Sequence, residues 1–227
     1  MNWLSHISDF ALLFFDATLW EVTGRSLFVS LMATLISMNL GLILARCLLQ
    51  AHSRWAKFFD ALLGAFVAIP AVVIGLLALL FFTSSIFKES QITLTIVPMM
   101  LAQALLLTPL AATLCLGALR THFKLIGEEL VSLGASNSAM FNVLIRECWP
   151  TLIATSILVL SRGIAEVGTV LIIGGNVEGR TQVLTTLIAE KARIGIYEQA
   201  IALSLILIII ALILSLVVRT LQKRFET

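Results

Sequence analysis

The stretch from Gly127 to Pro150, GEELVSLGASNSAMFNVLIRECWP, is a polar, glycine-containing insert between two apolar runs, Ile92 to Leu119 and Thr151 to Ile173, that are too long for ordinary core helices. Everything else in the chain is able to sit in lipid, and this stretch is not. Within it Glu128, Glu129 and Ser132 fall at helical spacing, and Gly134 permits a backbone reversal. Ser136 or Asn137 can then cap a second helix whose apolar residues are Met140, Phe141 and Leu144. A helix, a turn and a second helix projecting from an apolar body is one reading, and a solvated connector is the other.

Composition supports the membrane setting. Of 227 residues, 59% are hydrophobic and 12% charged, whereas a soluble domain has about a quarter of its residues charged. Such a chain is a polytopic membrane protein with no room for a sizeable soluble domain. Cys47, Cys115 and Cys148 are far apart and read as small apolar fillers, not as a disulfide framework. His6, His52 and His122 are scattered without a second ligand at metal spacing, so no metal site is expected. Nothing in the charge pattern asks for a nucleic-acid partner. Asp9 and Asp16 among the first apolar residues, with no basic start, argue against a cleaved secretory signal.

Working outward, five uncharged or nearly uncharged runs are long enough to cross a bilayer: 26–49, 61–86, 92–119, 151–173 and 200–218. Pro70 is expected to kink the second, and Pro98 and Pro109 to bend the third. Residues 2–20 carry His6, Asp9 and Asp16 between apolar residues and flank them with Trp3 and Trp20, which favours an interfacial helix; a sixth span is the alternative. Arg46, Arg54, Lys57, Arg120, Lys124, Arg146 and the tail Arg219, Lys223, Arg224 fall on one side of five spans. The positive-inside rule makes that side cytoplasmic, with the N-terminus outside and the C-terminus inside. Residues 127–150 then form a cytoplasmic loop and residues 174–198 an external one. No internal repeat is evident, which argues against an inverted-repeat carrier.

Glu128-Glu129-Leu130, Gly134 with Ala135-Ser136, and the Leu144-Ile145 pair resemble the cytoplasmic signature of the membrane subunits of binding-protein-dependent ABC importers. That signature reads Glu-Ala-Ala, three residues, Gly, and nine residues on an Ile-x-Leu-Pro. Here Glu129 and Leu130 stand where alanines are usual, and Arg146-Glu147 replaces Leu-Pro. The resemblance implies a type I importer fold, all-α, with five spans and the N-terminal interfacial helix. It also implies that Glu128, Glu129, Ser132, Gly134, Ala135, Ser136 and Met140 couple to a cytoplasmic ATPase. A narrower resemblance, over roughly 61–216, rests on Ala68-Ile69-Pro70-Ala71-Val72-Val73-Ile74-Gly75-Leu76, Glu166-Val167-Gly168, Gly174-Gly175-Asn176, Gly179-Arg180-Thr181 and Thr185-Thr186. These are similar to the permeases of tungstate importers, with sulfate and molybdate permeases as more distant relatives.

What the resemblance implies is a homodimeric permease in a bacterial or archaeal cytoplasmic membrane, surrounded by lipid. Two ATPase copies would bind ATP and Mg on one side, and an external, periplasmic solute-binding protein would deliver the anion on the other. The chain itself has no Gly-x-x-x-x-Gly-Lys-Thr phosphate loop and is expected to bind no cofactor and to catalyse no reaction. An ion-driven carrier needing no ATPase is the competing class.

Two further groups carry candidate chemistry. In the external loop, Gly174, Gly175 and Gly179 allow close backbone approach, Thr181, Thr185 and Thr186 carry hydroxyls, and Arg180 carries a forked cation, a set suited to an oxyanion. If 182–188 is a re-entrant half-helix, its positive end would face the anion. The other reading has these residues forming turns and caps. Arg162 and Glu166, four apart on one helical face of the fourth span, are either a gate on the pathway or an ion pair that holds helices in register.

Overall fold

The computed structural model describes residues 17–50, 54–85 and 92–225. Every regular element among them is a helix: α1 Ala17–Gln50, α2 Arg54–Val67, α3 Ala71–Phe82, α4 Ile96–Ser132, α5 Asn137–Ile164, α6 Gly168–Gly174, α7 Leu184–Arg193 and α8 Tyr197–Phe225. Four are long and apolar enough to cross a membrane, and the bent pair Lys57–Val67 with Ala71–Phe82 makes a fifth if it counts as one crossing. Each of the five expected spans overlaps a helix, but the second is broken between α2 and α3 and the fourth ends as a continuous helix at Ile164, short of the expected 173.

Three expectations changed, each for a physical reason. α1 already includes Ala17 to Trp20, because Leu19 and Val22 pack against Leu184, Leu203 and Ile206. Trp20 thus belongs to the first long helix; the rest of the expected interfacial helix, 2–16, lies outside the described residues, as do the Lys88-Glu89 turn and the last residues of the chain. At Pro70 the expected kink is a full break of 93°. Proline has no N–H to continue the ladder and pushes the residue before it, Ile69, out of the helical region. Pro98 is not a bend, since it sits in the first turn of α4, where a missing N–H costs nothing. Pro109 and Pro150 lie inside α4 and α5 without ending them.

The chain divides into two compact units, the first of Met1–Ala33, Pro70–Gln103 and Ser161–Ile213, the second of Thr34–Ile69, Ala104–Leu160 and Leu214–Thr227. In the first, Val29, Phe82, Met99, Ala102, Val170, Ile173 and Val183 form one core, and the cluster around Leu184 forms another. Between helices in lipid there is little hydrophobic driving force, so packing depends on close approach by small residues. α3 and α6 meet in this way: a Cβ on Gly75 would lie 3.0 Å from Thr169 Cα, and one on Gly168 2.9 Å from Val72 Cγ2.

In the second unit Ala45, Cys115, Leu116, Leu119, Met140, Phe141, Leu144 and Cys148 form the core. Cys115 and Cys148 are fillers as expected, whereas Cys47 is exposed. Gly41 lets α1 meet α4, a Cβ there lying 2.8 Å from Ala111 Cβ and from Ala112 N. Asp60 of α2 accepts a 2.6 Å hydrogen bond from Arg120 Nη1 of α4.

Candidate functional site

The stretch at Gly134 is a helix, a turn and a helix, and each arm continues a long apolar helix. α4 runs through Glu128, Glu129, Leu130 and Ser132 before it ends. Gly134 takes φ of +74°, which only glycine adopts without strain, and its N–H donates to Val131 O at 3.0 Å. Ala135 N–H reaches back to Leu130 O, also at 3.0 Å, so the paired bonds of a Schellman stop satisfy the last carbonyls. Ser136 then caps α5, its Oγ accepting from Ala139 N–H at 3.3 Å. Of the two capping candidates, Ser136 is the cap and Asn137 the first helical residue.

The side chains of the turn divide cleanly. Glu128, Glu129, Ser132, Gly134 and Ser136 are exposed and Ala135 is half-buried. Met140 is buried in the core with Phe141 and Leu144, so it holds the second arm in place and offers no surface to a partner. Arg46 of α1 supports that arm too, stacking 4.8 Å above the Phe141 ring and donating to Ser138 Oγ at 3.1 Å. Pattern reading missed Leu125, Val131 and Leu133, which are 75%, 61% and 75% exposed. They place apolar area at the surface beside the charged end of α4.

The second polar site surrounds a break in the fourth span. α5 ends at Ile164, and Glu166 stands outside regular helix. Arg162 Nη1 still donates to Glu166 Oε2 at 2.6 Å, so the expected pair forms, but across the helix end and not along one helical face. The other oxygen, Oε1, accepts from Thr169 N–H at 3.2 Å and caps α6. The carboxylate is 4% exposed and the guanidinium 48%, so the pair has one buried and one open partner. Thr169 Oγ1 donates to Ala71 O at 2.9 Å, and Thr185 Oγ1 to Glu166 O at 2.9 Å. Gln103 closes the group, its Nε2 donating to Gly163 O at 2.7 Å and Ser30 Oγ at 3.2 Å. Sequence reading did not single it out, although one amide in the uncharged run 92–119 was the signal for it.

In the loop after α6, Gly175, Asn176 and Gly179 have φ of 65°, 51° and 70°. Thr181 Oγ1 donates to Gly174 O at 2.6 Å and accepts from Val177 N–H at 2.9 Å. Thr186 Oγ1 donates to Val183 O and accepts from Val183 N–H. Thr181, Thr185 and Thr186 are therefore buried fasteners whose hydroxyl protons already have acceptors. The start of α7 is buried with them, in place of the expected half-helix end open to an anion. Arg180 alone of the four is exposed. Arg25, unremarked in the sequence, clamps the loop by donating to Gln182 O at 2.9 Å and Gly179 O at 3.1 Å. Asn176 and Gln182 both donate their amides to Glu190 Oε2. Among the described residues no group of His, Cys, Asp or Glu could hold a metal ion.

Residues 37–227 match the family of binding-protein-dependent transport system inner membrane components. The chain belongs to that family. It is 33% identical over 92% of both chains to a tungstate uptake system permease protein of Peptoclostridium acidaminophilum. A probable anion ABC transporter permease of Haloferax volcanii is 28% identical over 85% of both. The sulfate transport system permease of Escherichia coli is 28% identical over 91% of this chain and 76% of its own. The inner membrane component also shares its fold with a chain of the MetNI methionine ABC transporter in an inward-facing conformation. That match has a TM-score of 0.64 at 16% identity and covers 91% of this chain and 99% of the other. The all-helical type I importer fold is thus established, in a multi-pass membrane protein built for transport.

Proposed function

We propose that this permease moves an oxyanion, tungstate, into the cytoplasm as the membrane subunit of an ATP-driven importer. The observation that carries the reading is the turn at Gly134: a rigidly stopped and capped helix pair whose tip exposes Val131 and Leu133 beside Glu128 and Glu129. A mixed apolar and acidic tip fits a cleft in a partner protein better than it fits lipid or water alone. That partner is a cytoplasmic ATPase dimer, which binds the ATP and Mg, and a solute-binding protein delivers the anion on the other side.

The membrane part works as a homodimer in lipid of a bacterial or archaeal cytoplasmic membrane, with the N-terminus outside and the C-terminus in the cytoplasm. Closure of the ATPases draws the Gly134 turns together and rocks the spans between inward- and outward-facing states. Because each turn continues α4 and α5 without a joint, a displacement at the tip is delivered to both helices. The names of the relatives support an oxyanion as cargo, and tungstate leads because it belongs to the relative at 33% identity.

The test is uptake of tungstate, molybdate and sulfate, measured as metal or sulfur content of proteoliposomes holding the permease, its ATPase and its binding protein. ATP-dependent accumulation of tungstate is the expected result. Preferential accumulation of molybdate or sulfate would move the cargo within the anion class. Transport by the permease alone, driven by an ion gradient, would overturn the ATPase reading.

A further inference from the structure

In the second unit, α4 and α5 enclose an open cleft of about 390 Å³ lined by Thr113, Gly117, Thr121, His122, Thr151 and Thr155, with Leu114, Ala118, Ala154 and Leu158 completing its walls. Its composition is unlike that of the exposed face of α8. On α8 the exposed residues Ile201, Ile208, Ile209, Leu212 and Ile213 are aliphatic throughout, the pattern of a surface against lipid. Hydroxyls and an imidazole on an exposed face of spanning helices belong instead on a watery path.

Within the cleft the hydroxyls differ in what they can still do. Thr113 Oγ1 donates to Pro109 O at 2.9 Å and Thr121 Oγ1 to Gly117 O at 3.0 Å, so both protons are taken by their own helix. His122 Nδ1 lies 3.0 Å from Ala118 O, which orients the ring. Thr151 and Thr155 give their protons to no acceptor among the described residues. The buried, unpartnered side-chain oxygens among the described residues belong to Thr23, Gln103 and Asn176; Thr155, 5% exposed overall, keeps its Oγ1 open to the cleft, where a ligand or water can take its bond. Gly117 leaves the space open, since a Cβ there would meet nothing within 4 Å.

We infer that this cleft is a staging site for a tetrahedral oxyanion on the cytoplasmic half of the translocation path, with Thr151 and Thr155 as donors to the anion oxygens. The inference rests on the oxyanion-import reading above. An oxyanion carries acceptors only, so free hydroxyl protons are the complement it needs. The cleft has no Lys or Arg in its lining. A site built of neutral donors holds a dianion loosely, which suits a position that must release its cargo.

The test uses the reconstituted importer with sodium tungstate as the probe. Thr151→Val with Thr155→Val keeps shape and removes both donors, and losing hydrogen bonds to a charged ligand is expected to lower uptake by about tenfold or more. Thr155→Ser should restore most of it. Gly117→Leu fills the cleft at a point where nothing is displaced, and should block uptake while membrane insertion and elution as a dimer stay normal. In a Cys47→Ser background, Thr121→Cys should be labelled by a thiol reagent and protected by millimolar tungstate. If the wild-type importer accumulates tungstate and the Gly117→Leu and double-valine importers match it within twofold, the staging site is wrong while the function stands. If the wild type accumulates no tungstate, molybdate or sulfate, the import reading falls and this inference falls with it.

Discussion

Around Gly134 the polar side chains point outward and the turn is held by backbone bonds, while around Glu166 they point inward and the chain is held by side chains. The Gly134 turn needs only two backbone bonds and the Ser136 cap, leaving Glu128, Glu129, Val131 and Leu133 at the surface. The Glu166 region uses Arg162, Gln103, Thr169 and Thr185 to join six helices through one helix break. The difference separates a polar segment that leaves its side chains at the surface from one that keeps broken helices together in a medium where an unpaired polar group costs several kcal/mol. Polarity in the sequence is the same in both, and only direction distinguishes them.

That contrast can be broken most severely at the exposed tip. Replacing Val131 and Leu133 together with Asp should lower ATP-dependent uptake by at least about tenfold, the usual cost of losing central contacts in an interface. Membrane insertion and thermal stability of the isolated permease should be unchanged, as checked by size-exclusion melting in detergent. Gly134→Val belongs to the same arm: it forces φ of +74° on a β-branched residue and should uncouple ATP hydrolysis from uptake. Normal uptake in both variants would mean that the turn is not the coupling surface.

At the buried region the expected effects are on the protein itself. Arg162→Met leaves Glu166 buried without its cation and should destabilise the permease by about 2–4 kcal/mol, below the cost for a fully buried pair because Arg162 is half-exposed. Arg162→Met with Glu166→Leu should recover part of that loss. Recovered stability with normal transport would make the pair structural, and recovered stability without transport would place it on the pathway. Thr181→Val removes two bonds at 2.6 and 2.9 Å and should cost about 1–3 kcal/mol in the same melting assay. Ser136→Ala, the smallest change, should cost about 1 kcal/mol through loss of the cap.

The turn at Gly134 was readable because its parts are local. A glycine at the reversal, a serine two residues on and acidic residues in the preceding turn report geometry within a few residues of themselves. The tip's apolar surface was not readable, since whether Val131 and Leu133 pack inward or stay at the surface depends on how α4 is placed against its neighbours. Thr181, Thr185 and Thr186 have the right chemistry for an oxyanion, but whether a hydroxyl faces a ligand or the carbonyl of Gly174, Glu166 or Val183 depends on how the loop folds. Arg25 and Gln103 escaped notice for the same reason, their partners lying 157 and 60 residues away.

Hydropathy and charge placement determine that the chain is a helical membrane protein with a handful of crossings, because a bilayer admits few other ways to satisfy a backbone. Local motifs likewise determine the stop and restart at Gly134. Tertiary structure decided which proline breaks a helix, which glutamate is buried, and which hydroxyl-bearing side chains spend their protons on backbone carbonyls. Those outcomes depend on atoms distant in sequence and close in space, and no pattern along the chain records them.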